Sequence, residues 1–358
     1  MALTWPDEIE LLRELVSTPS ISGDEEAVGR LVEKHAREWG LDTVRDDAGV
    51  RVRVPGATPG RRLAFVSHLD TVPAGDGWVR EPFEATIETG KLYGRGSGDA
   101  KASVAAMLLA ARDVAADASA LQGELVVILG YGEETRHTSM PEALARTGSV
   151  DSAIVGEPTN LDLAIAQRGL MMVDLVAKGD QRHAGYASAD GEFVNAVTTL
   201  ARDLVALDGL FPDRSHSLLG APTVTATMLE GGVSRNVTPP SARAVLDIRS
   251  TPAWSHDDIA ARLREKLESE VVVTSDRLVP CETPGPSRLL EVLRRLRPQA
   301  ETYGSPTCSD WVFLRDTDAV KCGPGTSRRS HTPDEYVDLH EVSAARAYFA
   351  RVAREYLT

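Results

Sequence analysis

At 358 residues the chain is long for a single core and predicts about two domains. Its apolar fraction of 42% and charged fraction of 26% are ordinary for a globular protein, while a formal net charge of -14 argues against a nucleic-acid or anionic-membrane surface. No apolar run approaches the roughly 18 residues of a membrane span, Met1–Val16 lacks the apolar core of a signal peptide, and three scattered cysteines, Cys281, Cys308 and Cys322, form no CxxC pair; a cytoplasmic protein without a zinc knuckle or dithiol centre is expected.

Helical spacing is predicted over Asp7–Val16, through Ile9, Leu11, Leu12 and Leu15, and again over Glu25–Trp39, with turn residues Ser22-Gly23-Asp24 between them. Arg62–Ser67 reads as a strand, Lys91–Asp99 as a strand end running into a glycine-rich turn, and Ala100–Val114 as an alanine-rich helix. Glu124–Leu129 and Ala153–Val155 read as further buried strands. This alternation predicts an α/β domain on a mostly parallel sheet with helices on both faces.

After Pro158-Thr159-Asn160 the texture changes. Leu170–Ala177 is predicted as a strand buried on one face and close to a sheet edge, where it can pair with its copy about a two-fold axis. Glu192–Leu207 is predicted as a helix, Thr223–Met228 as a half-buried strand and Arg243–Ile248 as another strand. A helix over Ser255–Leu267 and a strand over Val271–Thr274 complete the set. The order predicts an inserted α+β sandwich over residues 163–273, with residues 1–162 and 274–358 forming the other domain.

The residues that carry chemistry stand where apolar runs end. Phe65-Val66-Ser67 runs into His68-Leu69-Asp70, and Leu125–Leu129 leads through Gly130-Tyr131-Gly132 into Glu133-Glu134. Ser152–Gly156 runs into Glu157, and Ala319–Cys322 leads through a glycine-rich loop to His331. Ligands collect at the carboxyl ends of parallel strands, so these side chains predict a site for two divalent ions and a hydrolase. In an extended chain His68 and Asp70 share a face, which lets Asp70 accept the second ring N–H of a metal-binding His68. Asp99, in Gly94–Lys101, is either a helix cap or a carboxylate presented by a tight turn to two ions. Adjacent carboxylates at Glu133-Glu134 repel each other unless cations are present; with cations, one ligates while the other accepts a proton from water.

Taken in order, HLDTVP, GRGSGDAKAS, GEE, VGEP and SHTPDEYV resemble the motifs of the M20 family of metallopeptidases and deacylases over nearly the whole chain. The resemblance implies a metallohydrolase catalytic domain and an inserted lid or dimerisation domain. It implies that His68 and Glu157 bind one ion, that His331 and Glu134 bind the other, and that Asp99 bridges them. Glu133 is implied as general base and Asp70 as the residue orienting His68. Zinc suits this nitrogen and oxygen donor set, with cobalt or manganese able to substitute. In the inserted domain, His183 is implied to stabilise the oxyanion in the neighbouring subunit of a homodimer, and Asn236 and Arg249 to bind polar groups of the substrate. The segments VGEPTNLDLAIAQRGLMMVDLVAKG and TCSDWVFLRDTDAVKCGPGTSRRSHTPDEYV are most similar to the acetylornithine deacetylase branch, so a small N-acyl amino acid is the implied substrate; desuccinylases and carrier-linked lysine or ornithine hydrolases share the metal motifs.

Three departures from the family pattern stand out: Ala102 after Lys101, Gly132 before Glu133, and Thr135-Arg136-His137-Thr138-Ser139 after Glu134. The last brings an extra possible ligand, His137. A dinucleotide-dependent oxidoreductase built on the Gly94–Lys101 loop leaves two histidines and four carboxylates without a role, and its spacing is not GxGxxG. A silent binding protein is the remaining alternative, although all five candidate ligands and the base are present. A serine hydrolase finds no GxSxG elbow.

Overall fold

A computed structural model describes residues 6–187 and 193–358. Two compact units divide the chain. The first comprises Met1–Ile165, Thr283–Tyr303 and Ser309–Thr358, and the second comprises Ala166–Glu282 and Gly304–Cys308.

The first unit is an α/β domain. Its central strands Gln122–Gly130, Thr58–His68, Ser152–Val155 and Asp318–Lys321 lie side by side in that order, every neighbouring pair parallel. From Leu63 to His68 every residue is buried, as is every residue from Glu124 to Gly130, so both faces of the sheet are covered. Gly49–Pro55 adds antiparallel to Gln122–Gly130, and Asp42–Asp46 forms a hairpin with it at the edge. This hairpin is absent from the sequence reading, although Val50, Val52 and Val54 point inward while Arg53 and Pro55 are exposed.

The helices lie close to their predicted bounds, at Asp7–Val16, Glu26–Glu38 and Ala102–Ala115. Ala102–Ala115 is buried on almost every side, and its small side chains let strands and the C-terminal helix Leu339–Tyr356 approach closely. Gly156 shows why the chain is glycine there: a Cβ would stand 2.7 Å from Met107 Cε and 2.9 Å from Ser103 Cβ of this helix.

The second unit is an α+β sandwich, with the strand-helix-strand-strand-helix-strand order that the spacing predicts. Its sheet order is Thr223–Gly231, Ser241–Ser250, Gly169–Lys178, Glu270–Leu278, and each neighbouring pair is antiparallel. Met171, Val173, Leu175 and Ala177 pack with Ala244, Leu246 and Ile248 beneath helices Ala196–Ala206 and His256–Lys266. The helix starts later than the expected Glu192, which lies outside the described residues.

Three expectations need correction. Leu170–Ala177 is not near a free edge, because Gly169–Lys178 is paired along both sides; the edges are Thr223–Gly231 and Glu270–Leu278. Nor is Thr223–Gly231 half buried. All its residues but Val224 are exposed, because an edge strand has one lateral neighbour and the helix Ala196–Ala206 leaves its flank open. The strand Glu270–Leu278 also runs past Val273, where the inserted segment was expected to end. Among the described residues, no helix is long and apolar enough to cross a membrane.

Candidate metal centre and catalytic site

Parallel register explains why distant residues meet in the first unit. His68 is the last residue of its strand and pairs with Gly130, three residues before Glu133. Val66 pairs with Val155, two residues before Glu157, and Val155 pairs with Lys321, at the end of the strand leading to the His331 loop. The carboxyl ends of four strands thus supply one place.

There His68 Nε2 lies 3.4 Å from Asp99 Oδ1 and 3.9 Å from Glu157 Oε1. His331 Nε2 lies 3.0 Å from Glu134 Oε1 and 3.7 Å from Asp99 Oδ2. Each histidine therefore faces a different oxygen of Asp99. His68 is 1% exposed, and its Nε2 is buried with no hydrogen-bond partner. An orphaned ring nitrogen surrounded by carboxylates is the expected state of a metal ligand.

The other ring nitrogen of His68 is held by Asp70, with Nδ1 3.0 Å from the Asp70 carbonyl oxygen and 3.4 Å from its carboxylate. Asp70 in turn accepts the Ser22 hydroxyl at 2.7 Å and the N–H groups of Glu133 and Glu134, each at 3.0 Å. Burial opposes ionisation of Asp70, yet His68, Ser22 and the Glu134 N–H bring its pKa down to about 2. Burial likewise disfavours a charged His68, but Asp70 and Asp99 push its pKa well up.

Glu157 is pushed up to about 8, by burial first and then by the negative Asp99. Glu133, 7% exposed, is raised well above the usual carboxylate range by burial and by Glu157, Asp310 and Glu134. Such crowding of acids is costly for the chain alone, and divalent cations relieve it. The donor set fits the implied pair of ions.

Four supporting residues were not singled out by sequence reasoning. Glu335, 1% exposed, accepts Arg95 Nη1 at 2.6 Å and the N–H groups of Gly96, Gly98 and Asp99, which fixes the turn that presents Asp99. Lys101 Nζ donates to Leu15 O and Thr18 O, both at 2.9 Å, and burial lowers its pKa to about 7. Ser22 braces Asp70, and Asp310 sits 3.0 Å from His137 Nδ1. Each lies in a run noted from the sequence, Glu335 in PDEYV, Lys101 in GRGSGDAKAS, Ser22 in Ser22-Gly23-Asp24 and Asp310 in TCSDWVFLRD, but nothing local marks its partner.

In the second unit, His183 and Asn236 come together. His183 bridges antiparallel to Val237, and the Ala184 N–H donates to Asn236 O at 2.8 Å. Both side chains are exposed. Arg249 stands on Ser241–Ser250 with its guanidinium on Asp247, Nε donating at 2.8 Å and Nη2 at 3.1 Å, so any other carboxylate brought to it would have to share or displace that partner.

The model of peptidase family M20/M25/M40 matches residues 64–355. A succinyl-diaminopimelate desuccinylase of Cereibacter sphaeroides is 30% identical, over 98% of this chain and 99% of its own length. An acetylornithine deacetylase of Klebsiella pneumoniae is 30% identical, over 98% of each. Among solved structures, the aminopeptidase PepT of Bacillus cereus superposes with a TM-score of 0.82 at 19% identity, covering 98% of both chains. The Bacillus subtilis YXEP protein, described as a dinuclear metal binding peptidase, gives a TM-score of 0.77 at 17% identity, covering 98% of this chain and 97% of its own. The chain belongs to peptidase family M20/M25/M40 and is a hydrolase acting on amide bonds.

Proposed function

We propose that the protein is a two-metal deacylase that releases a small amino acid from its N-acyl derivative, with N-acetylornithine as substrate and the cytoplasm as its place of action. The observation that carries this reading is the orphaned, buried Nε2 of His68 facing Asp99 and Glu157, with Glu134 and His331 on the other side of Asp99. His68 and Glu157 would hold one ion, Glu134 and His331 the other, and Asp99 both; zinc suits these donors, with cobalt or manganese able to replace it. When bound, such ions polarise the scissile carbonyl and acidify water.

Glu133 then accepts the proton of the attacking water and passes it to the leaving amine nitrogen. Burial and neighbouring acids raise the Glu133 pKa above the ordinary carboxylate range, the direction that strengthens it as a proton acceptor. Asp70 keeps His68 in one tautomer and, through the Glu133 N–H, holds the base in place.

His183 and Asn236 offer exposed polar side chains for the oxyanion and the substrate, with His183 acting in the partner of a homodimer and Arg249 reaching a substrate carboxylate. The edge strand Thr223–Gly231, with Met228 53% and Leu229 66% exposed, and the exposed Val197 and Val205 of helix Ala196–Ala206 support a two-fold contact here in place of Gly169–Lys178.

The test is a panel of N-acetyl-, N-succinyl- and carrier-linked amino acids hydrolysed by one preparation. N-acetylornithine is expected to give the highest kcat/KM. A higher value for a succinyl substrate moves the reading to desuccinylation, and no hydrolysis of any acyl-amino acid ends it.

A further inference from the structure

A second group of side chains with metal-ligating atoms joins Glu133 to His137 and Asp310, neither of which has a part in the scheme above. The chain after Glu134 folds back on itself: the N–H groups of Arg136 and His137 both donate to Gly132 O, at 3.0 and 2.8 Å. His137 adopts a φ of 48°, a conformation rarely taken by residues other than glycine. The turn carries its imidazole back to Glu133. His137 Nδ1 lies 3.0 Å from Asp310 Oδ1 and 3.8 Å from Glu133 Oε1, and one donor atom from each of the three residues falls within 4.8 Å of the other two. Donors about 2.1 Å from a tetrahedral zinc ion stand about 3.4 Å apart, between the two observed separations.

The charge around the group is the second observation. The side chains of Glu133 and Asp310 are 9% and 4% exposed. The Glu133 carboxylate accepts no hydrogen bond from any described residue, although it is more than nine-tenths buried and directed at His137. Two buried carboxylates converge on one imidazole, an arrangement whose mutual repulsion a divalent cation would relieve. Carboxylate with imidazole suits zinc better than magnesium or calcium.

We propose that Glu133, His137 and Asp310 form a third divalent-cation site, separate from the paired site, and that zinc bound there arrests turnover by occupying the carboxylate that must accept the proton. The arrest rests on the reading of Glu133 as proton acceptor; the site itself does not. An enzyme so built runs with two ions and is braked by zinc in excess.

The experiment takes wild type, His137→Gln and Asp310→Asn, each loaded with two equivalents of zinc, and adds more. Bound zinc per chain is read by equilibrium dialysis and elemental analysis, and initial rate is read in parallel. Wild type is expected to take up a third equivalent and to lose rate at least about tenfold as it does so, since the base it blocks is worth about 10²-fold or more. Both variants are expected to stop at two equivalents and keep their starting rate at the same free zinc, and two variants guard against one failing to fold. No third equivalent in wild type, or the same uptake in both variants, overturns the site. Uptake without loss of rate overturns the arrest, and an undiminished rate in Glu133→Gln then places the fault in the role given to Glu133.

Discussion

The Asp70 carboxylate stands between His68 and the main chain of Glu133: Oδ1 lies 3.4 Å from His68 Nδ1 and accepts the Glu133 N–H at 3.0 Å. With Oδ2 accepting the Glu134 N–H, one side chain ties together two strand ends that carry the proposed ligand His68 and the proposed base Glu133. In Asp70→Asn an amide N–H2 must face either His68 or a backbone donor. Metal affinity is expected to fall by about 10- to 100-fold, as for other residues that orient a ligand, measured by competition with a chelator. Wild-type affinity in that variant would remove Asp70 from this role.

Glu133→Gln keeps the shape of the side chain and removes its proton acceptor. Bound metal is expected to stay at the wild-type level while kcat falls at least about 10²-fold. The same substitution at Glu134, which faces His331 at 3.0 Å, is expected to lower metal content instead. The reverse pattern shows that the two carboxylates have exchanged duties.

If His183 acts across a two-fold axis, two inactive proteins complement each other. Mixing His183→Ala with Glu133→Gln under conditions of subunit exchange is expected to restore activity, because some heterodimers carry one intact composite site. Loss of an oxyanion donor costs about 2.7–4 kcal/mol of transition-state stabilisation, which leaves a low background. A mixture that stays inactive despite demonstrated exchange, or a fully active wild-type monomer, rules this out.

Much of the candidate site was legible because its residues follow buried strands, and parallel register then aligns strand ends without further information. His68, Glu133 and Glu157 are examples. What escaped depends on lateral or long-range pairing. The alternation of Met171, Val173 and Leu175 says that one face is buried, and is silent on which strands lie alongside; the strand proved interior. Asp310 is 173 residues from His137, and nothing local marks it as that partner. The Asp42–Pro55 hairpin did carry a local signal, since Val50, Val52 and Val54 alternate with Arg51 and Arg53; the burial of Arg51, 8% exposed and paired with Asp46, is what the alternation does not foretell.

His256 gives the second unit a pH dependence of its own. It is 8% exposed, with Nδ1 2.6 Å from the Asp276 carbonyl oxygen and Nε2 2.8 Å from the Ser250 hydroxyl, an arrangement suited to a neutral ring. Burial holds its pKa below the ordinary 6.5, against the Asp276 carbonyl. The unfolded chain therefore binds the proton first as pH falls, and stability declines from about pH 6.5 down to the folded pKa, being fully present above. Urea midpoints at about pH 7.5 and about pH 5 are expected to differ more in wild type than in His256→Gln. Equal differences would remove His256 as a cause.

Metal stoichiometry against activity tests the central claim most directly. The protein is stripped with a chelator, and zinc or cobalt is returned in steps up to two equivalents while bound metal and hydrolysis of an N-acyl amino acid are followed together. The account predicts no activity in the stripped protein, recovery as two ions bind per chain, and higher thermal stability of the loaded form, since cations relieve the repulsion among Asp99, Glu133, Glu134 and Glu157. Full activity in a verified metal-free sample contradicts it.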